Sequence, residues 1–244
     1  MARSTVHSPQ LWGDIETTCI DPEEGHILEI GWMVRGTYGP DSPMKSRLVI
    51  PDFVRLTQTD EPIAAFRFMY DNLDPYVQKM HSENGLKAAL EEIISTGDIA
   101  LMKSLSLEAA VDEIYNDLLT VEAGIVADPA YSAFEKSTAF EKKNQSILLC
   151  GNSVHFDKKW LLHHVPKEHP LWWVLNISHQ VLDLSGIGKM WNIAEKNWDE
   201  NGKSTYPDVP VMQELSEHRA QYDIARAYET YKFYCKNGIS PAQQ

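Results

Sequence analysis

LWGDIE, residues 11–16, is an apolar stretch that carries two carboxylates inside what otherwise reads as a buried β-strand. Because successive side chains of a strand point to opposite faces of a sheet, Asp14 and Glu16 are predicted to project from the same face. Two neighbouring carboxylates repel each other and are costly to bury unless a cation lies between them. A lone Asp-x-Glu pair is more often a solvated strand edge, so a cation site requires further carboxylates from elsewhere in the chain.

The composition is that of an ordinary globular protein. The chain has 244 residues, of which 43% are hydrophobic and 23% are charged, and this suits a single domain over residues 1–244. No apolar run approaches the ~18 residues of a membrane helix, and residues 1–10 lack an apolar signal segment, so we expect a cytoplasmic protein without membrane contact. The three cysteines stand at unrelated spacings that fit neither a disulfide framework nor a zinc site.

The charge of the chain limits the nucleic acid that it can bind. The formal net charge of -13 argues against a basic track for long nucleic acid, because such affinity comes from Lys and Arg side chains that neutralise phosphates. Any nucleic-acid partner is therefore expected to be short or locally bound. An acidic surface also favours solubility. Taken together with a carboxylate site, however, the excess of acidic residues indicates that bound metal ions supply the positive charge at that site.

The hydrophobic pattern predicts an α/β fold with five strands. These are expected at residues 11–17, 27–34, 46–50, 146–150 and 180–184, and the first three are expected to form an antiparallel meander. Helical periodicity begins after Asp71 and recurs at residues 106–119 with Ser106 as N-cap, at 154–162 with Asn152 and Ser153 as N-caps, and at 220–236. Residues 120–145 are predicted to form an irregular or partly helical excursion, and residues 194–217 a mobile loop.

Two further carboxylates stand near predicted helix starts. Asp157 follows the strand-to-helix junction at Gly151, and Asp223 lies near the start of the last helix. In isolation each would be a favourable partner of the helix dipole. His218 precedes Asp223 by five residues, which is about 140° around a helix, so His218 is expected to reach in from the preceding loop. Together, the four carboxylates, with a histidine nearby, offer the hard oxygen ligands that suit Mg²⁺ or Mn²⁺ better than zinc.

Five stretches occur in an order that resembles a known family. They are LWGDIETT at residues 11–18, HSENGL at 81–86, CGNSVHFD at 150–157, LDLS at 182–185 and HRAQYDI at 218–224. The first, third and fifth resemble the three motifs of the DEDDh family of 3'-5' exonucleases, and the other two are similar to oligoribonucleases in particular. This resemblance implies an RNase H-like fold, which is a mixed five-stranded sheet flanked by helices.

The resemblance also implies a mechanism. Two Mg²⁺ or Mn²⁺ ions would be held by Asp14, Glu16, Asp157 and Asp223, and would activate a water and stabilise the leaving oxygen. His218 would be the general base, because an imidazole with a pKa of ~6.5 can accept a proton near neutral pH. The implied activity is 3'-5' hydrolysis of short single-stranded RNA to nucleoside 5'-monophosphates by a homodimer.

Substrate contacts are implied by the same resemblance. The candidate substrate-binding residues are Thr17, Ile20, Tyr76, His81, Asn152, Ser153, His179 and Ser185. Where oligoribonucleases have a Tyr-Arg pair before the LDLS-type stretch, this sequence has His179 and Gln180, which removes a stacking ring and a phosphate-binding guanidinium. We therefore expect a weaker preference for dinucleotides than a strict dinucleotidase has. Ser153 and Ser185 are the candidates that would donate hydrogen bonds to a phosphate of the substrate.

Two alternatives remain open. The first is a DNA-directed or proofreading-type exonuclease of the same superfamily, since no residue in the sequence unambiguously reads a 2'-hydroxyl. The second is a non-catalytic protein that binds oligonucleotides. The presence of all five catalytic residue types disfavours this second alternative, because clustered carboxylates are costly and a binding protein gains nothing from them.

Overall fold

A computed structural model of the chain describes residues 9–36, 41–51, 70–83, 85–122, 147–195 and 219–237. These residues form an α/β fold in which helices flank a mixed five-stranded sheet. This architecture confirms the predicted fold class and is consistent with an RNase H-like fold. Within the described ranges, no helix has the length and hydrophobicity that a membrane crossing requires.

The sheet has the order β3-β2-β1-β4-β5. Its strands are β1 (Gln10–Thr17), β2 (Ile27–Arg35), β3 (Lys45–Leu48), β4 (Leu148–Gly151) and β5 (Val181–Asp183). The pairs β1–β2 and β2–β3 are antiparallel, which confirms the predicted meander, whereas β1–β4 and β4–β5 are parallel. The central strand is therefore β1, which carries Asp14 and Glu16.

Eight helices are described around the sheet. They are α1 (Pro75–Glu83), α2 (Leu86–Thr96), α3 (Ile99–Ser104), α4 (Leu107–Glu122), α5 (Val154–His164), α6 (Pro170–Ile177), α7 (Leu184–Glu195) and α8 (Ala220–Lys236). The helices α2, α3, α6 and α7 are not among those predicted. Ser106 caps α4 as expected, because its hydroxyl oxygen accepts a hydrogen bond from the Ala109 N–H at 3.0 Å.

Helices extend into both segments that were predicted to lack regular strands. Residues 120–122 form the last turn of α4, which agrees with a partly helical segment there, and residues 194–195 form the end of α7 where a loop is predicted. The remaining residues of those predictions, 123–145 and 196–217, lie outside the described part of the chain.

The two faces of β1 are covered by different helices. Leu11 and Ile15 belong to the apolar cluster that contains buried residues of α4, α5 and α6. Trp12, which points the other way, packs in a cluster with Ile224 and other residues of α8. By strand alternation, Asp14 and Glu16 share the face of Trp12, which is the face that α8 covers.

Candidate metal centre

Three carboxylates meet where α8 begins. One ligand oxygen from each of Asp14, Glu16 and Asp223 lies within 4.8 Å of the other two, and all three residues are half-buried. Asp223 is in the first turn of α8, whose buried residues Ile224 and Ala227 face the sheet. The predicted pairing of the Asp14 and Glu16 side chains with Asp223 is thus present in the structure.

A glycine in β2 allows α8 to approach the sheet this closely. Gly31 pairs with Asp14 across the β1–β2 ladder. A Cβ atom at Gly31 would lie 2.9 Å from the Ala220 Cβ and 2.8 Å from the Ile224 Cδ1, both closer than carbon atoms pack. The first turn of α8, with Asp223, can therefore sit on β1 and β2 only because residue 31 has no side chain.

Asp157 reaches β1 from a different helix. It lies in the first turn of α5, is 4% exposed, and accepts a hydrogen bond at its Oδ1 from the Ile15 N–H at 3.2 Å. The donor is free for this contact because β4 pairs with β1 only over residues 10–12. Asp157 therefore lies beside the group of three, although its oxygens are not part of the 4.8 Å cluster.

The proximity of these acids changes their proton affinity. Burial, followed by the charges of Asp157, Asp223 and other nearby acids, raises the pKa of Asp14 well above its usual value. Burial and the charge of Asp223 raise the pKa of Glu16 to about 8. Burial is also the main cause of the raised pKa of Asp157, with Asp183 adding to it. Protons or cations are needed to relieve this repulsion, and an all-carboxylate donor set is the kind that Mg²⁺ and Mn²⁺ prefer.

A fourth carboxylate on the face that α8 covers is not predicted from the sequence. Glu29 lies opposite Glu16 in the β1–β2 ladder and is 0% exposed. Arg219, which precedes α8, donates from its Nε to Glu29 Oε1 at 3.1 Å and to Oε2 at 3.2 Å. The signal available in the sequence is a single charged residue inside the apolar run of β2, which marks a side chain with a partner in the interior.

Ser153 and Ser185 come together near Asp157. Their hydroxyl oxygens are 3.4 Å apart, and Asp183 Oδ1 accepts hydrogen bonds from the N–H of Ser153 at 3.1 Å and from that of Ser185 at 2.9 Å. Ser153 is at the N-cap position of α5 as predicted, but the prediction that its side chain caps the helix is wrong. Its backbone adopts a left-handed conformation with φ of 55°, and its hydroxyl faces Ser185.

The other candidate substrate residues lie at the end of β1, in the turn that follows it, and before α5 and β5. Thr17 ends β1 and donates its hydroxyl to the Cys19 carbonyl at 2.7 Å, and Ile20 in the following turn is 83% exposed. Asn152 is half-buried at the junction of β4 and α5, and His179 is exposed before β5. These roles stay predictions.

Two of the three remaining candidate residues lie in α1. His81 in α1 is fully buried, and burial together with the charge of Arg219 lowers its pKa to about 4. Its role as a substrate contact stays a prediction. Tyr76 also lies in α1, but its side chain is not among those described. His218, the expected general base, lies outside the described residues.

The fold and the acidic cluster define an α/β protein with a carboxylate site suited to divalent cations. Over most of its length the chain is distantly similar to proteins named oligoribonuclease. It is 24% identical to the oligoribonuclease of Neisseria meningitidis serogroup C over 224 residues, which are 91% of this chain and 88% of that protein. It is 21% identical to the mitochondrial oligoribonuclease of Mus musculus over 239 residues, and 21% identical to that of Homo sapiens over 241 residues. Each of these two alignments covers 97% of this chain and 76% of the relative. No family model matches the chain.

Proposed function

We propose that the protein is a metal-dependent 3'-5' exonuclease that hydrolyses short oligoribonucleotides to nucleoside 5'-monophosphates. The observation that carries this proposal is the meeting of Asp14, Glu16 and Asp223 within 4.8 Å, with Asp157 hydrogen-bonded beside them. The distant similarity to proteins named oligoribonuclease supports short RNA as the substrate class. The DEDDh type, the single-domain organisation, the homodimer and the cytoplasmic location are further parts of the proposal, and they rest on the sequence.

The four carboxylates would hold the metal ions. Asp14, Glu16 and Asp223 offer one oxygen each to a common point, and Asp157 is held next to them by the Ile15 N–H. When bound, Mg²⁺ or Mn²⁺ ions lower the pKa of an attacking water and neutralise charge on the phosphate. We assign Asp14, Glu16, Asp157 and Asp223 to this role because their repulsion is relieved by a cation.

Proton transfer and phosphate binding would fall to other residues. We assign the general base to His218, which would take the proton of the water as the oxygen attacks phosphorus and the bond to the 3' oxygen breaks. Ser153 and Ser185 present two hydroxyls 3.4 Å apart that can donate to a phosphate of the substrate. The backbone at both serines is fixed by Asp183, so their hydroxyls stay close together without substrate.

The test is digestion of end-labelled oligonucleotides of graded length in Mg²⁺ or Mn²⁺. RNA labelled at the 5' end should shorten stepwise from the 3' end and release nucleoside 5'-monophosphates, and excess chelator should stop the reaction. Asp14→Asn should remove turnover, whereas Asp112→Asn, an exposed acid on α4, should not. Equal rates on DNA and RNA would favour the DNA-directed alternative. Binding without hydrolysis by the metal-loaded wild type would favour the binding protein.

A further inference from the structure

We propose that the Glu29–Arg219 ion pair positions the first turn of α8 and thereby holds Asp223 against Asp14 and Glu16. This inference rests on the proposed function, because it assigns a positioning role to two residues outside the metal-binding set. Neither residue belongs to the three-carboxylate cluster.

Glu29 is a fixed point of the sheet. It lies in β2 directly opposite Glu16, and its side chain is fully buried. Strand alternation places Glu29 and Gly31 on the face that α8 covers. An ionised carboxylate at such a place requires a partner of opposite charge, because an isolated buried charge is very costly.

Arg219 connects this fixed point to the helix. It occupies the N-cap position of α8 with an extended backbone, with φ of -105° and ψ of 133°, and its side chain makes no capping bond. Its Nε contacts both oxygens of Glu29, and its carbonyl oxygen accepts the Asp223 N–H at 3.0 Å. One residue thus joins Glu29 at its side chain to Asp223 at its backbone.

Two neutral contacts hold the same turn. Gln221 donates from its Nε2 to the Met44 carbonyl at 3.2 Å, and Ala220 packs over Gly31. These contacts press α8 onto the sheet, whereas the ion pair adds a directional contact at its first turn. A buried ion pair stabilises a fold little compared with an apolar pair of similar volume. Its location at the start of the helix that carries Asp223 therefore indicates a positional role.

The pair also keeps Glu29 from acting as another ligand. Glu29 lies opposite Glu16 on the neighbouring strand. Both of its side-chain oxygens nevertheless accept hydrogen bonds from Arg219 and so face the guanidinium. Without Arg219, the charge of Glu29 would be a fourth, uncompensated negative charge on the face that carries Asp14, Glu16 and Asp223. Removing the charge of Glu29 would instead leave the guanidinium attracted to the cluster, where it would compete with a cation.

The test measures Mn²⁺ affinity by electron paramagnetic resonance of free Mn²⁺, independently of hydrolysis. Arg219→Gln and Glu29→Gln should each weaken Mn²⁺ binding by tenfold or more, about 1.4 kcal/mol, in protein whose circular dichroism is that of the wild type. Arg219→Lys keeps the charge but loses the planar donor geometry, so its affinity should lie between those of the wild type and Arg219→Gln. If Arg219→Gln or Glu29→Gln fails to fold, the Mn²⁺ affinity of Arg219→Lys is the deciding measurement.

The matched control is Glu113→Gln. Glu113 pairs with Arg47 at 2.8 Å, which links β3 to α4 away from the cluster. This variant should retain wild-type Mn²⁺ affinity even if its melting temperature falls, so it separates positioning from general stability. Wild-type Mn²⁺ affinity in folded Arg219→Gln or in folded Arg219→Lys would overturn the inference.

Asp223→Asn distinguishes this inference from the proposed function. If Asp223→Asn and Asp14→Asn bind Mn²⁺ as the wild type does, the proposed metal site itself is wrong. If they lose Mn²⁺ while the Glu29 and Arg219 variants keep it, the metal site stands and the positioning role of the ion pair is refuted. Loss of affinity in both sets, with Glu113→Gln unchanged, supports the inference.

Discussion

Asp157 on α5 is hydrogen-bonded to the backbone of Ile15, the residue between Asp14 and Glu16, with 3.2 Å between the Ile15 nitrogen and Asp157 Oδ1. The contact fixes a carboxylate from a helix beside two from the central strand. It also satisfies a donor of β1 that lies beyond the end of the β4 pairing. Asp157 therefore has a structural role as well as the proposed role in binding metal.

The two roles of Asp157 can be separated by two substitutions. Asp157→Asn keeps an oxygen that accepts from Ile15 and should remove turnover while the protein stays folded. Asp157→Ala should also remove turnover, but it leaves the buried Ile15 N–H unsatisfied and should lower the free energy of unfolding by about 1–3 kcal/mol. Urea denaturation of both variants in chelator gives this difference. Equal stability of the two variants would show that the contact with Ile15 contributes nothing.

Divalent ions should stabilise the protein against heat. The raised pKa values of Asp14, Glu16 and Asp157 reflect burial and mutual repulsion, which a bound cation offsets. At 100 times its Kd, an ion that binds only the folded state adds about 2.7 kcal/mol, which raises Tm by roughly 5–10 °C in a protein of this size. Differential scanning fluorimetry with Mg²⁺ and with chelator measures the shift. Asp14→Asn should abolish it, and an equal shift in that variant would contradict the assignment.

His218 and Asp223 should differ in what their loss removes. His218→Ala should lower kcat by roughly 10²- to 10⁴-fold, the usual scale for a general base, and should leave metal affinity unchanged. Asp223→Asn should weaken metal binding as well as turnover, because its oxygen lies in the three-carboxylate cluster. Isothermal titration calorimetry with Mn²⁺ measures metal affinity, and single-turnover kinetics measures the chemical step, so the two measurements together separate the effects. The same metal affinity in both variants would argue against this division of roles.

Gly31 should tolerate no side chain. A Cβ atom there would meet Ala220 and Ile224 at less than 3 Å, so Gly31→Ala should lower the free energy of unfolding by about 1–3 kcal/mol and shift Asp223 outward. Gly186, in α7, is the control, because a Cβ there meets nothing within 4 Å. Gly186→Ala should be neutral or slightly stabilising in a helix. Chemical denaturation and Mn²⁺ titration of both variants test this expectation.

Local patterns in the sequence were sufficient to predict the strands. Period-2 alternation correctly places Asp14 and Glu16 on one face, and every strand boundary is predicted within two residues. The range of α8 was also predicted correctly, because its apolar positions recur at helical spacing. These features depend on side chains that are near each other in the chain.

The features that were missed depend on tertiary contacts or lack periodicity. The segment of α6 has five consecutive apolar residues, Leu171–Leu175, so its sequence shows no amphipathic stripe that marks a helix. The Glu29–Arg219 pair joins residues 190 positions apart and follows from the docking of α8 on β2. Ser153 was expected to cap α5, but its N–H is bound by Asp183 and its hydroxyl faces Ser185, contacts that a local pattern does not contain.

The buried imidazole of His81 should make stability depend on pH. Its pKa in the folded protein is lowered to about 4, mainly by burial, whereas the unfolded chain has the ordinary value of about 6.5. Between these two values the unfolded state binds a proton that the folded state does not, so stability falls as the pH drops from 6.5 towards 4. The contribution lost over this window is about 3 kcal/mol.

The measurement compares the wild type with His81→Gln in chelator, by urea denaturation at intervals between pH 4 and pH 7. The carboxylates with raised pKa values act in the opposite sense, since stability from them falls as the pH rises, but they are common to both proteins and cancel in the difference. The substitution also changes packing, which shifts the whole curve without changing its slope. On acidification the free energy of unfolding of the wild type should therefore fall by about 3 kcal/mol more than that of His81→Gln. Parallel curves would show that the imidazole takes up its proton as readily in the folded protein as in the unfolded chain.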